Sequence, residues 1–208
     1  MGAIFREEMN LMAGLPDALA RGDQERFSEL CYGAVVPHDD EGEASLPLAD
    51  PFFEFLIATA RSTVFLEWPE ADSLYVIFHY DWERLTVEHK RRLLATIRET
   101  FPRLKSRQSA FDIRELLVKK FSPAEACCVF EELVHIDLLI QRRNVQWGCE
   151  SILESGPGPD IYRRCKNCLT ILTHDVDENI REGSIEFLES LGRVEADRAA
   201  RGLPEPTG

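Results

Sequence analysis

Two short constellations in this 208-residue chain have the residue types and spacing for chemistry. Cys165-Lys166-Asn167-Cys168 sets two thiols one helical turn apart, with His174 following. Thiolates at that spacing hold zinc when a second pair completes a tetrahedral set. No second pair is present, and both cysteines fall on an apolar helical stripe, so buried thiols are the expected role. The other constellation is His174-Asp175, an adjacent imidazole and carboxylate that could hold a divalent ion and activate water. His38-Asp39 is a second pair of this kind. Asp175 is also accounted for as a helix cap, and only Asp177 and Asp197 remain as later aspartates. The chain has no G-x-S-x-G, and Gly156-Pro157-Gly158-Pro159 lacks the Lys-Ser/Thr that a phosphate-binding loop needs. No metal and no cofactor are therefore expected.

The elements that must carry these residues are helices in pairs over residues 86–191. Thr86 can cap a helix with the stripe Leu93, Leu94, Ile97, Phe101. Ser109 can cap the next, with Ile113, Leu116 and Leu117. Ser122-Pro123-Ala124-Glu125 has capping-box spacing with proline at the first helical position. Its stripe is Ala126, Phe130, Leu133, Val134, and after Arg142-Arg143 come Val145, Cys149, Ile152 and Leu153. Gly156-Pro157-Gly158-Pro159 breaks that run. Ile161, Cys165, Cys168, Leu169 and Leu172 follow, and Asp175-Val176-Asp177-Glu178 reads as a capping box for Ile180, Ser184, Phe187, Leu188 and Leu191. Spacings of three and four place each set on one helical face.

The pairs recur at a step in the mid-thirties, the signature of two-helix repeats that bury their stripes against neighbours. The stretch 174–191 resembles the second half of a HEAT repeat: an acidic turn, Ile180-Arg181-Glu182, a small residue at Ser184, then Phe187, Leu188 and Leu191. The expected fold is all-α, with antiparallel hairpins stacked as a short HEAT-like α-solenoid or as an irregular helical bundle. The His174-Asp175 pair also resembles that of HD-type hydrolases, all-α enzymes that hold metal on such pairs and a distant aspartate. That resemblance makes a metal-dependent phosphohydrolase the alternative function.

Ahead of the pairs, residues 3–13 predict a helix and Leu15-Pro16-Asp17 the start of another, with Gly22 a weak point within it. The run Pro37 to Ser45 is polar and acidic, an expected exposed loop in which Asp39, Asp40, Glu41 and Glu43 are candidate contacts for a partner. Asp50-Pro51 opens an apolar helix that Trp68-Pro69 ends. Leu74 to Phe78 has strand-like composition but no second strand to pair with, so a helix is expected. Trp68, Tyr80 and Trp82 lie beside charges and are candidates for a half-exposed binding patch. The chain is read as one helical domain over 1–208: acidic helices and loop over 1–49, aromatic-rich helices over 50–83, three helix pairs over 86–200, and a tail over 202–208 expected to be disordered.

Charge is segregated along the chain. Residues 1–83 hold 17 acidic and 4 basic side chains, net -13, while 84–208 hold 20 of each. Residues 90–120 carry ten basic against three acidic groups. Such an acidic region repels nucleic acid and attracts basic partners. No apolar run is long enough to span a membrane, and Met1 to Glu8 is acidic where an export signal would be basic, so a cytoplasmic protein with reduced cysteines is expected. The function these features imply is non-enzymatic binding of a basic protein, with an immunity protein or antitoxin as one concrete form. A scaffold subunit of a larger assembly is the third expectation.

Overall fold

The computed structural model describes residues 3–33, 47–69 and 74–202. Eleven α-helices run through them, with no strand among the described residues. They are α1 (Ala3–Arg21), α2 (Gln24–Gly33), α3 (Asp50–Arg61), α4 (Thr63–Glu67), α5 (Leu74–Tyr80), α6 (Val87–Thr100), α7 (Arg107–Lys120), α8 (Pro123–Leu133), α9 (Leu139–Glu154), α10 (Pro159–Leu172) and α11 (Glu178–Ala200). The all-α class is as expected, and Leu74 to Phe78 is helical. The chain divides into two compact units, Met1–Leu116 and Leu117–Gly208.

In the first unit the N-terminal helix does not stop at Pro16. α1 runs through that proline and ends at Gly22, whose φ is +66°. The Gly22 N–H donates to the Leu19 carbonyl and the Asp23 N–H to the Ala18 carbonyl, a glycine-terminated helix end. Asp23 then caps α2, its Oδ1 accepting from the Arg26 N–H at 3.0 Å. Asp50 is the first residue of α3 rather than its cap, and its carboxylate accepts from His89 Nε2 at 2.9 Å. The apolar run from Phe52 is cut at Ser62, which caps α4 by accepting from the Phe65 N–H.

The core of this unit is aromatic. Phe27, Phe53, Phe65, Tyr75 and Phe78 are fully buried, and successive ring centroids lie 6.1–6.2 Å apart from Phe27 through Phe65 and Tyr75 to Phe78 and Phe53. Around it, α3 and α4 meet α6 and the turn after it at one register. Arg61 pairs with Glu99 at 2.8 Å, Arg92 with Glu54, and Lys105 with Glu67, each partner 38 residues from the other. A constant positive offset means that the two segments run in the same direction.

In the second unit, Ser122 and Glu125 form the expected capping box and α8 begins at Pro123. The Gly-Pro stretch ends α9, with Gly156 at φ +71°, and supplies Pro159 to the first turn of α10. The N-cap of α11 is Asp177, which accepts from the Ile180 N–H at 3.2 Å, and not Asp175. Nor does Ser109 cap α7: it is buried within the helix, and Ser106 Oγ accepts its N–H at 3.1 Å. The offset between ion-paired partners here is 33 residues, for Glu131 with Arg164 and for Arg142 with Asp175. Two turns are built alike: Arg142 Nη1 donates to the Ile136 carbonyl and Arg181 Nη1 to the Asp175 carbonyl, both at 3.0 Å and both six residues back.

Candidate functional site

The His174-Asp175 pair comes apart on the structure. His174 is exposed, while Asp175 is buried. Arg142 Nε donates to Asp175 Oδ2 at 2.6 Å, and Oδ1 accepts from Arg142 Nη2 at 3.3 Å and from the Asp177 N–H at 2.8 Å. Both carboxylate oxygens thus serve a buried ion pair and a turn. Arg142 is fixed in turn by the Ile136 and Asp137 carbonyls at 3.0 and 2.6 Å. Cys165 and Cys168 are buried on α10, as their place on the apolar stripe predicts. Among the described residues, no group of three His, Cys, Asp or Glu side chains is arranged to hold a metal ion.

The partner-contact candidates scatter. Asp39, Asp40, Glu41 and Glu43 lie outside the described residues. Trp68 is half-buried with its ring edge against Phe27, centroids 5.6 Å apart. Trp82 is buried, and Lys90 Nζ stands 4.6 Å from its ring centroid. Tyr80 is 59% exposed and meets the His79 ring edge-on. Of the three aromatics, then, only Tyr80 stands well out from the surface.

The most developed exposed face lies in the second unit, on α9 and α11. The stripe Val145, Cys149, Ile152 and Leu153 sends one side of α9 into the core, as its spacing requires. Leu139, Arg143 and Trp147, at successive spacings of four, line another side. Trp147 is 45% exposed, Leu139 39%, and Leu138 before it stands out as well. Arg143 Nη2 reaches Asp177 Oδ1 at 3.7 Å, which ties this row to the start of α11.

Next to that row, α11 packs against α9 with a glycine at the contact. A Cβ on Gly183 would lie 2.4 Å from Gln146 Nε2, so the Gln146 amide would have to shift to admit one. Gln146 precedes Trp147, and Glu182, Ile185 and Glu186 flank Gly183 along α11. Glu178, Glu182, Glu186 and Glu189 are all exposed, at helical spacings of four, four and three. α9 thus presents an apolar and aromatic row, and α11, packed against it, an exposed row of carboxylates. Charge repels bulk anions from such a face, and the indole supplies a large, rigid contact area. Trp147 was within reach of sequence reasoning: it lies off the apolar stripe of its own helix, on the side shared with Leu139 and Arg143.

Comparison with protein-family models, with characterised proteins and with solved structures gave no match to this chain.

Proposed function

We propose that this chain is a non-enzymatic protein-binding module of HEAT-like build whose partner is a basic protein. The observation that carries the reading is the exposure of Leu139 and Trp147 on α9, together with the exposed Glu182 and Glu186 on the α11 helix packed against it. An exposed tryptophan bordered by charge is the usual composition of an interface anchor. A basic segment with an apolar side chain fits both halves of the face, the cation meeting the α11 glutamates and the apolar group meeting Trp147. The HEAT-like reading is supported within each unit by its own register: a 38-residue offset in the first, and a 33-residue offset with two identically built arginine turns in the second. One concrete form is an inhibitor of the immunity-protein or antitoxin kind, which would block a basic active site.

The test is retention of partners from native lysate by wild type, Trp147→Ala and Glu182→Lys/Glu186→Lys. The expected outcome is one basic protein held in equal amount by wild type, weakened at higher salt and lost at least tenfold with either variant. A partner retained equally by all three excludes this face.

The scaffold reading is favoured by a different observation. Only Ile180 and Ser184 are buried among the 23 residues of α11, and Phe187, Leu188 and Leu191 remain half-buried. A partner held through that side would survive both raised salt and charge reversal at Glu182 and Glu186.

A further inference from the structure

Five of the six cysteines meet in the second unit, and four of them are fully enclosed. Cys127 on α8, Cys149 on α9, and Cys165 and Cys168 on α10 bring buried thiols from three helices into one part of the core. The Cys165 thiol approaches the Cys127 sulfur at 3.7 Å. Just outside, Cys128 is half-buried and its Sγ accepts from Arg164 Nη2 at 3.1 Å. Arg164 also holds Glu131 with two bonds, at 2.9 and 2.6 Å.

We propose that Cys127 and Cys165 are a modification site: they join as a disulfide between α8 and α10 when the protein meets a two-electron oxidant of the peroxide class. A disulfide needs its sulfurs about 2.0 Å apart. From 3.7 Å, the closure is within the reach of small side-chain rotations on two helices already packed together. Cys128 is a poor rival partner for Cys127, because adjacent residues on a helix point about 100° apart. Cys149 also neighbours Cys165 and is the rival partner, so a Cys149–Cys165 link in place of the Cys127 one would overturn the pairing.

The cluster also sets which sulfur reacts first. Hydrogen bonding among the Cys127, Cys149 and Cys165 thiols, with Arg164 nearby, favours the thiolate at Cys165 and draws it down from the usual range. Cys127 and Cys149, each hydrogen-bonded to Cys165, are pushed up. The thiolate is the nucleophile. Cys165 sulfur attacks one peroxide oxygen, the O–O bond breaks, and hydroxide leaves to become water on taking a proton. This produces a sulfenic acid at Cys165. The Cys127 thiol then attacks that sulfur; the S–S bond forms, and hydroxide departs with the Cys127 proton as the second water. Two thiols are oxidised and one peroxide is reduced to two waters.

The experiment is brief exposure of the full-length protein to hydrogen peroxide, alkylation of remaining thiols, digestion and tandem mass spectrometry. The expected product is a Cys127–Cys165 cross-linked peptide, two hydrogens lighter than the sum of its parts, with Cys149 and Cys168 recovered alkylated. Cys128→Ser resolves the neighbouring sulfurs and should retain the link. The bond should also raise the melting temperature by roughly 10 °C, reversed by dithiothreitol, because it closes a long loop in the unfolded chain. Recovery of all six cysteines as thiols, oxidation confined to Cys128, or a link formed only in urea would overturn the assignment.

Discussion

Tyr75 shows what burial does to one side chain. It is fully enclosed by the aromatic core, and its hydroxyl lies 3.3 Å from Thr100 Oγ1. Burial pushes its pKa up to about 12, against a smaller pull down from the Thr100 bond. The neutral phenol is therefore the folded form. An unfolded tyrosine ionises near pH 10, so the stabilisation is fully present below about pH 10 and is lost as pH rises towards 12. Over that window, wild type should lose about 2–3 kcal/mol more stability than Tyr75→Phe, read from melting curves at stepped pH. If the phenylalanine variant falls as steeply, the phenol is not the titrating group. Aromatic density over residues 52–82 was legible as core from composition alone. Which ring faces water was not: Tyr80 and Trp82 both sit among charges in the sequence, and only the fold places Lys90 over Trp82.

At the scale of elements, some helix starts were legible from their local caps. Thr86 and Ser122 cap as their spacing predicts, by accepting from the N–H three residues on. Asp175 defied the same rule because its partner is Arg142, 33 residues earlier, which no local pattern reveals. The caps of α4 and α7 fell to Ser62 and Ser106, serines that compete with equally plausible neighbours until packing fixes the register. Gly148 separates local propensity from packing more sharply. In mid-helix, propensity alone predicts that Gly148→Ala stabilises by about 1 kcal/mol. Yet a Cβ there would lie 2.2 Å from Phe130 Cζ, where α8 and α9 press together. Phe130 is fully buried. Overpacking of this kind costs about 1–3 kcal/mol, so Gly148→Ala should destabilise, as read from the midpoint of urea unfolding. An unchanged or raised midpoint would show that the helices can part there without cost.

At the scale of the whole molecule, the charge segregation along the sequence is partly undone by the fold. Three carboxylates from the acidic first part, Asp50, Glu54 and Glu67, meet His89, Arg92 and Lys105 from the stretch that follows. Arg92 holds the Glu54 carboxyl below its usual range, first through their hydrogen bond. These acids are committed to internal pairs, and exposed pairs of this kind contribute little to stability individually. They are also unavailable to steer a partner, which composition alone could not reveal. The acidic run Asp39, Asp40, Glu41 and Glu43 has no lysine or arginine within it, and none lies between Arg26 and Arg61. Charge steering at low salt raises association rates by tenfold or more and fades as ions screen it. Replacing those four residues by Asn and Gln should therefore slow association of the basic partner about tenfold at low salt, with dissociation nearly unchanged and the difference gone at high salt. Glu54→Gln/Glu67→Gln, which removes two acids from the same part of the sequence, should leave the association rate within about twofold. Stopped-flow association across a salt series distinguishes the two sets. Equal slowing by both would mean that net charge alone steers the encounter, and no slowing by the first set would remove the acidic run from the binding mechanism and leave the α9–α11 face to account for it.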